Sequence, residues 1–190
     1  MPVTMVREQG QPEKARQHRQ IGGFRRFVRD TRGASALEFA IVSVPFFLLL
    51  MAVFQMAFVY FANFALESAT SRAARLVRTG QAQDFSASQF KTEVCKEISA
   101  PLSCSGLELD VRKFDSFGSA AGGLTQPLDS SGNMKENFSF NPGGSGDVVV
   151  VRAFYPLDIG ALLPAEVSMS NMSGNKRVLV ATAAFRNEPF

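Results

Sequence analysis

Between Phe39 and Leu66 the chain carries no charged side chain, and Gln55 and Asn63 are the most polar members of a run dominated by Phe, Leu, Val, Ala, Ile and Met. This run constrains everything else. A bilayer core of about 30 Å is crossed by about 20 such residues in a helix, so residues 34–66 are expected to form a transmembrane helix. A core helix of a soluble protein is the alternative, but a segment apolar on every side would need a larger protein around it than 190 residues supply. Pro45 should kink or loosen the first third of the span.

Charge sets the orientation. Before the run lie Arg7, Lys14, Arg16, Arg19, Arg25, Arg26, Arg29 and Arg32, against only Glu8, Glu13 and Asp30. A basic arm of this kind can contact phosphates. Here it leads straight into hydrocarbon-like sequence, so membrane lipid and not nucleic acid is the expected partner. The positive-inside rule places this arm in the cytoplasm and residues 67–190 across the membrane. Residues 1–33 read as a polar leader without a sustained apolar face, with the short piece FRRFVRD able to lie at the headgroups. Ordinary secretory cleavage fits poorly, because both the basic region and the apolar run exceed signal-peptide lengths.

No Gly or Pro interrupts the chain between Phe46 and Thr79, so the helix should continue past the lipid. Leu66, Ala69, Ala73, Leu76 and Val77 share one face, and Ser68, Ser71, Arg72, Arg75, Arg78 and Thr79 the other. Gly80 is the stop. A second helix is expected over residues 87–98, opened by the capping pattern Ser86-x-x-Gln89 and carrying Phe90, Val94 and Ile98 at steps of four. Pro101 follows it. Leu107, Leu109 and Val111 alternate with Glu108, Asp110 and Arg112, which predicts a strand with one wet face over residues 107–114. The continuous apolar run around Val148 to Phe154 suits a central strand near 147–155, and a third strand is expected near 178–186. Residues 115–146, rich in Gly, Ser and Asn, read as a long exposed loop. The predicted class is therefore α+β: a long transmembrane helix extending into a head with a second short helix and a small, about three-stranded, antiparallel sheet.

Cys95 and Cys104 both fall in the exported half. An oxidising compartment favours a disulfide between them; two separately buried thiols are the alternative.

Signatures of catalysis are lacking in the sequence. His18, in the leader, is the only histidine, so neither a histidine-based triad nor a histidine-ligated zinc site can be assembled in the head. Cys95 and Cys104 are too far apart for a C-x-x-C redox pair. The segment 143–146 lacks the Lys-Ser/Thr of a phosphate loop, and residues 129–133 have the wrong ligand spacing for an EF-hand. Asn137 and Asn171 lie in N-x-S sequons that read as chance. An enzyme would need a pocket built from carboxylates such as Glu108, Asp110 and Asp158, and their spacing suggests none. No enzyme activity, cofactor or metal is expected.

The segment Arg32-Gly33-Ala34-Ser35-Ala36-Leu37-Glu38-Phe39 puts a carboxylate just inside the apolar helix. An acidic residue at mid-helix costs about 2.5 to 3.5 kcal/mol on insertion scales, less near an interface, so Glu38 should have a partner. Spacing alone leaves two readings open. After a cut following Gly33, the new amine of Ala34 would lie about one helical turn from Glu38 and neutralise it. Otherwise Ser35-x-x-Glu38 is an ordinary capping box.

The wider stretch RGASALEFAIVSVPFFLLLMAVFQ, residues 32–55, resembles the N-terminal signature of TadE-like proteins, pseudopilins of the tight-adherence (Flp, type IVb) pilus system, and the closing ATAAFRNEPF is similar to that family too. The resemblance implies a pilin-like head and a prepilin-peptidase cut between Gly33 and Ala34. Glu38 would then be the acidic residue at the fifth mature position. Major Flp pilins favour Tyr where Phe39 stands, and they are shorter, which points to a minor, pseudopilin-type subunit. The function so implied is in priming, tip formation or the membrane complex of Flp-type pilus assembly. The implied partners are the Flp major pilin, a second TadE/TadF-like pseudopilin, the prepilin peptidase and the inner-membrane assembly platform. The implied location is the inner membrane, or the extracellular pilus after incorporation. An uncleaved, signal-anchored periplasmic binding or sensing module, with residues 115–146 contacting a ligand, is the competing reading.

Overall fold

A computed structural model describes residues 33–98, 100–136, 138–160 and 169–190. The leader, with His18 and FRRFVRD, and the sequon residue Asn137 lie outside the described residues. By internal contacts the chain divides into residues up to Phe46 and the unit Phe47–Phe190. The first helix, α1, is assigned over Ala34–Arg78 and includes Pro45, which has no amide to offer the carbonyl of Ile41.

Within the second unit, α1 buries one face. Gln55, Val59, Ala62, Leu66, Ala69, Ala73 and Val77 are all buried, at alternating steps of mostly three and four that keep them on one stripe. After Arg78 the chain turns at Gly80, whose φ of 78° is in the left-handed region, and the Ala82 amide returns to the Leu76 carbonyl at 3.1 Å. Helix α2, Ala87–Glu97, opens on the expected capping box: the Ser86 hydroxyl accepts from the Gln89 amide, while the Gln89 side chain accepts from the Ser86 amide. Phe90 and Val94 are buried. Ile98 adopts extended backbone and ends the helix. Cys95 and Cys104 are bonded, with Cα atoms 5.4 Å apart, and a 3-10 turn at Cys104–Gly106 leads into the sheet.

The sheet is antiparallel, in the order β1-β2-β3, with β1 at Glu108–Phe114, β2 at Val148–Asp158 and β3 at Lys176–Arg186. Val151 lies opposite Val111 on one side and Ala183 on the other. Alternate residues of β2 serve two cores. Val149, Val151, Ala153, Tyr155 and Leu157 join α1 and α2 in the main hydrophobic cluster, where each fully buried aliphatic side chain contributes about 1.5 to 3 kcal/mol. The other alternate set, Val148, Val150, Arg152 and Phe154, is buried on the opposite face.

That second buried face corrects two expectations. Residues 115–146 are not a plain exposed loop. They contain helix α3, Phe117–Gly123, with its own Ser116/Ser119 capping box, and the stretch around Phe140 runs beside β1, bridging Val111. Phe138 stacks on Phe154 with ring centroids 5.0 Å apart, and Phe140 meets Phe90 at 5.1 Å. The face of β1 expected to be wet is therefore covered where Asp110 stands, and Asp110 is 1% exposed.

Candidate functional site

The start of α1 carries the residues singled out in the sequence. Gly33 is exposed and lies immediately before the helix, Ala34 is the first helical residue, and Glu38 and Phe39 are exposed, Phe39 at 72%. Ser35 is inside the helix, whereas an N-cap residue has non-helical backbone. This removes the geometry that a Ser35-x-x-Glu38 capping box requires. Gly33 has no left-handed φ, and a Cβ placed on it would meet no described atom within 4 Å. Among the described residues nothing requires a glycine there.

Farther along, the outer side of α1 is apolar and open. Leu37, Ile41, Val44, Phe46, Phe47, Leu49 and Phe54 are exposed, and so are Phe58, Tyr60, Phe61 and Phe64, Phe64 at 70%. A soluble monomer rarely exposes so continuous an apolar surface. This helix is long and apolar enough to cross a membrane. The alanines of this stretch differ in their surroundings. Ala57 is exposed and Ala52 half-buried. Ala62, at 0%, is spent on the contact with the head.

Gln55 begins that contact. It is buried, and its Nε2 donates to the Ile159 carbonyl at 3.4 Å. The seam is legible by stepping the Leu66-Ala69-Ala73 period backwards through Ala62 and Val59 to Gln55, but the surrounding apolar run conceals it.

In the head, the carboxylates considered for catalysis are dispersed. Asp110 is held by Arg152 Nη2 at 2.5 Å, by Arg112 Nε at 2.9 Å and by the Ser139 amide at 3.0 Å. Burial raises its pKa, but the Ser139 amide and the two guanidinium groups outweigh burial and hold the carboxyl below its ordinary value. Arg152 also donates to the Thr125 carbonyl at 2.7 Å and lies 5.1 Å from the Phe154 ring centroid. Glu108 pairs with Lys91 at 3.3 Å, and Asp158 accepts from the Gly160 amide at 2.9 Å. Asp129 accepts from the Ser131 and Asn133 amides and closes a turn. Asn171 uses its side-chain oxygen to accept from the Val178 amide. Each of these groups has a structural job. Among the described residues no group of three or more His, Cys, Asp or Glu side chains could hold a metal ion.

The C-terminal motif is structural as well. The Glu188 amide donates to the Arg78 carbonyl at 2.9 Å, Asn187 Nδ2 donates to the carbonyls of Pro142 and Gly144, and the Phe190 ring lies over Gly80. The closing residues thus lock the sheet to the end of α1.

The chain thus combines a long apolar helix with a small α+β head that covers one face of the helix from Gln55 onward. Residues 33–75 match the family model described as TadE-like protein, so the chain carries the TadE-like segment that its sequence resembles. This is a structural, non-enzymatic pilin family. Its members associate with the Tad pilus, so pilus components are the class of partner implied. Comparisons with curated proteins and with solved structures gave no match.

Proposed function

We propose that the protein is a minor pilin or pseudopilin that primes, tips or anchors assembly of a Flp-type tight-adherence pilus. The observation that carries this reading is the division of α1: apolar and exposed before Gln55, clasped on one face by the head after it. About 20 residues span a bilayer core of about 30 Å, so the lipid-embedded part is residues 34–54, shorter than the hydropathy alone suggested. The aromatic outer face at Phe58, Tyr60, Phe61 and Phe64 then lies beyond the lipid and is available to neighbouring helices. The basic leader keeps the N-terminus cytoplasmic and the head periplasmic.

The prepilin peptidase cuts between Gly33 and Ala34. Support comes from a glycine that nothing among the described residues requires and from the loss of the capping-box explanation for Glu38. The freed amine of Ala34 pairs with Glu38, in the same subunit or in a neighbour, as the helix enters an assembly with the Flp pilin, a second TadE/TadF-like subunit and the membrane platform. N-terminal sequencing of protein extracted from membranes with an active peptidase tests this. A start at Ala34 is expected. An intact leader would overturn the reading in favour of a signal-anchored module.

A further inference from the structure

Cys95 and Cys104 are bonded to each other, but their surroundings are unequal. Cys95 sits in the last turn of α2, half-buried and packed against the main hydrophobic cluster. Cys104 is exposed. Its neighbour Ser103 donates its amide to Tyr155 Oη at 3.2 Å, and the Ser103 hydroxyl shares a hydrogen bond with the same oxygen at 3.2 Å. These contacts tie the backbone beside Cys104 to β2. From Pro101 to Leu107 the chain carries no charge, so a partner approaching Cys104 meets no fixed charge of either sign in that stretch.

Thiol–disulfide exchange is an in-line displacement. The incoming thiolate lines up behind the sulfur it attacks, on the extension of the S–S bond, and the far sulfur leaves. Approach to Cys104 Sγ comes from the side of an exposed residue. Approach to Cys95 Sγ has to come from the side of a residue held against the core. One effect runs the other way when the bond is opened. A thiolate at Cys95 lies at the C-terminal end of α2, where the helix dipole disfavours negative charge by about two- to fivefold, which makes Cys95 the poorer leaving group. That factor is small beside a path closed by packing, which removes the encounter itself.

We propose that Cys104 is the sulfur through which the chain exchanges disulfides with a partner of the dithiol oxidoreductase class, and that Cys95 is the resolving thiol. On the reduced chain Cys104 loses its proton to water, and its thiolate attacks one sulfur of the partner's disulfide. A mixed disulfide forms on Cys104, and the partner's other sulfur leaves as a thiolate. Cys95, deprotonated in turn, attacks Cys104 Sγ. The Cys95–Cys104 bond forms, the mixed bond breaks, and the partner departs with both of its sulfurs reduced. Two electrons pass to the partner, and the two thiol protons pass to water and on to the partner's thiolates. The second attack is intramolecular: the bonded residues have Cα atoms 5.4 Å apart, and each is anchored independently of the bond, one through α2 and the other through Tyr155.

The test uses the full chain in detergent. The oxidised protein is opened briefly with reduced glutathione, quenched with an alkylating reagent and mapped by peptide mass spectrometry. Glutathione on Cys104 with the alkyl group on Cys95 should exceed the reverse isomer at least about fivefold, against the pull of the helix dipole. In denaturant, where both sulfurs are open to solvent, the excess should vanish. Two single variants read the opposite direction with oxidised glutathione. Cys95→Ser, which keeps the entry thiol, should form its mixed disulfide at least about fivefold faster than Cys104→Ser; both lack the native bond, so its loss is common to the two. Equal amounts of the two isomers, an excess of glutathione on Cys95, or equal rates in the two variants would each overturn the proposal. None of these outcomes bears on the pilin reading.

Discussion

Replacing Asp110 with asparagine probes the packing of the head at its most polar buried point. The Asp110 side chain is fully buried and that of Arg152 is 7% exposed, whereas Arg112 retains 27% exposure and can fall back on water. The substituted amide would keep an acceptor for the Ser139 amide but leave the Arg152 guanidinium buried without a counter-ion. Removing one partner of a buried pair costs about 3 to 5 kcal/mol, a large part of the roughly 5 to 15 kcal/mol that holds a domain together. At about 2 to 4 °C per kcal/mol for a chain of this size, the midpoint of thermal unfolding should fall by about 10 °C. Far-UV circular dichroism of the detergent-solubilised, disulfide-intact chain measures it. Acid provides a second readout. The folded-state pKa of Asp110 is depressed, so its contribution is complete above the unfolded-state value of about 3.9 and is lost as pH falls through the folded value. Wild-type stability should therefore drop below about pH 4, and Asp110→Asn should flatten the part of that drop due to this residue. Pairing Asp110→Leu with Arg152→Met should recover most of the loss, because two apolar groups no longer demand each other. A cost for Asp110→Asn below about 1 kcal/mol, the level of an exposed ion pair, would refute the argument.

Other expectations follow from the same geometry. Gly33→Leu should leave the longer precursor in the membrane while the head melts at the wild-type temperature, since nothing described lies within 4 Å of a Cβ there; gel mobility and unfolding measured on the same sample check both halves. Glu38→Ala should be processed normally yet recover fewer partner pilins in pull-downs from detergent extracts, and unchanged recovery would remove its pairing role. Gly80→Ala forces a left-handed backbone on a residue with a side chain and drives its Cβ to within 2.5 Å of the Phe190 ring; a loss of about 1 to 2 kcal/mol is expected from the backbone alone, read by denaturant unfolding. Reducing Cys95–Cys104, which closes a loop with a sequence separation of 9, should cost about 2 to 3 kcal/mol on the chain-entropy account, read as a lower midpoint with reductant present.

The periodic elements were legible because one face of each meets one environment. Phe90 and Val94 step by four under a real capping box, and the unbroken run from Val148 marks a strand covered on both sides. Asp110 was misread for the converse reason. Alternation with Leu109 and Val111 signals a wet face only if nothing covers that face, and here Ser139 meets Asp110 and Thr125 meets its partner Arg152, both from a segment farther along the chain without periodicity. Burial of a charge is invisible locally, since it depends on Arg152 arriving from another strand. The sequence offered one hint, the lone Arg inside the apolar run of β2, a position where an uncompensated cation is costly and a carboxylate partner is required.

Packing and hydropathy bear differently on where the proposed span ends. By composition residues 39–66 are uncharged and mostly apolar, and lipid or protein would serve them equally well as surroundings. One stripe of this segment meets protein: the Gln55 amide reaches the Ile159 carbonyl, and Val59 and Ala62 are buried. If residues 55–66 lay in hydrocarbon, the β2 end at Leu157 to Ile159 and the charged Asp158 would be drawn in with them, at an insertion cost of about 2.5 to 3.5 kcal/mol for an acidic group near mid-bilayer. Ending the span near Phe54 avoids that cost and still leaves about 20 residues to cross the core. On the proposed span, the exposed aromatic side chains from Phe58 to Phe64 lie beyond the lipid. The pilin reading proposed above assigns that face to a neighbouring pilus subunit.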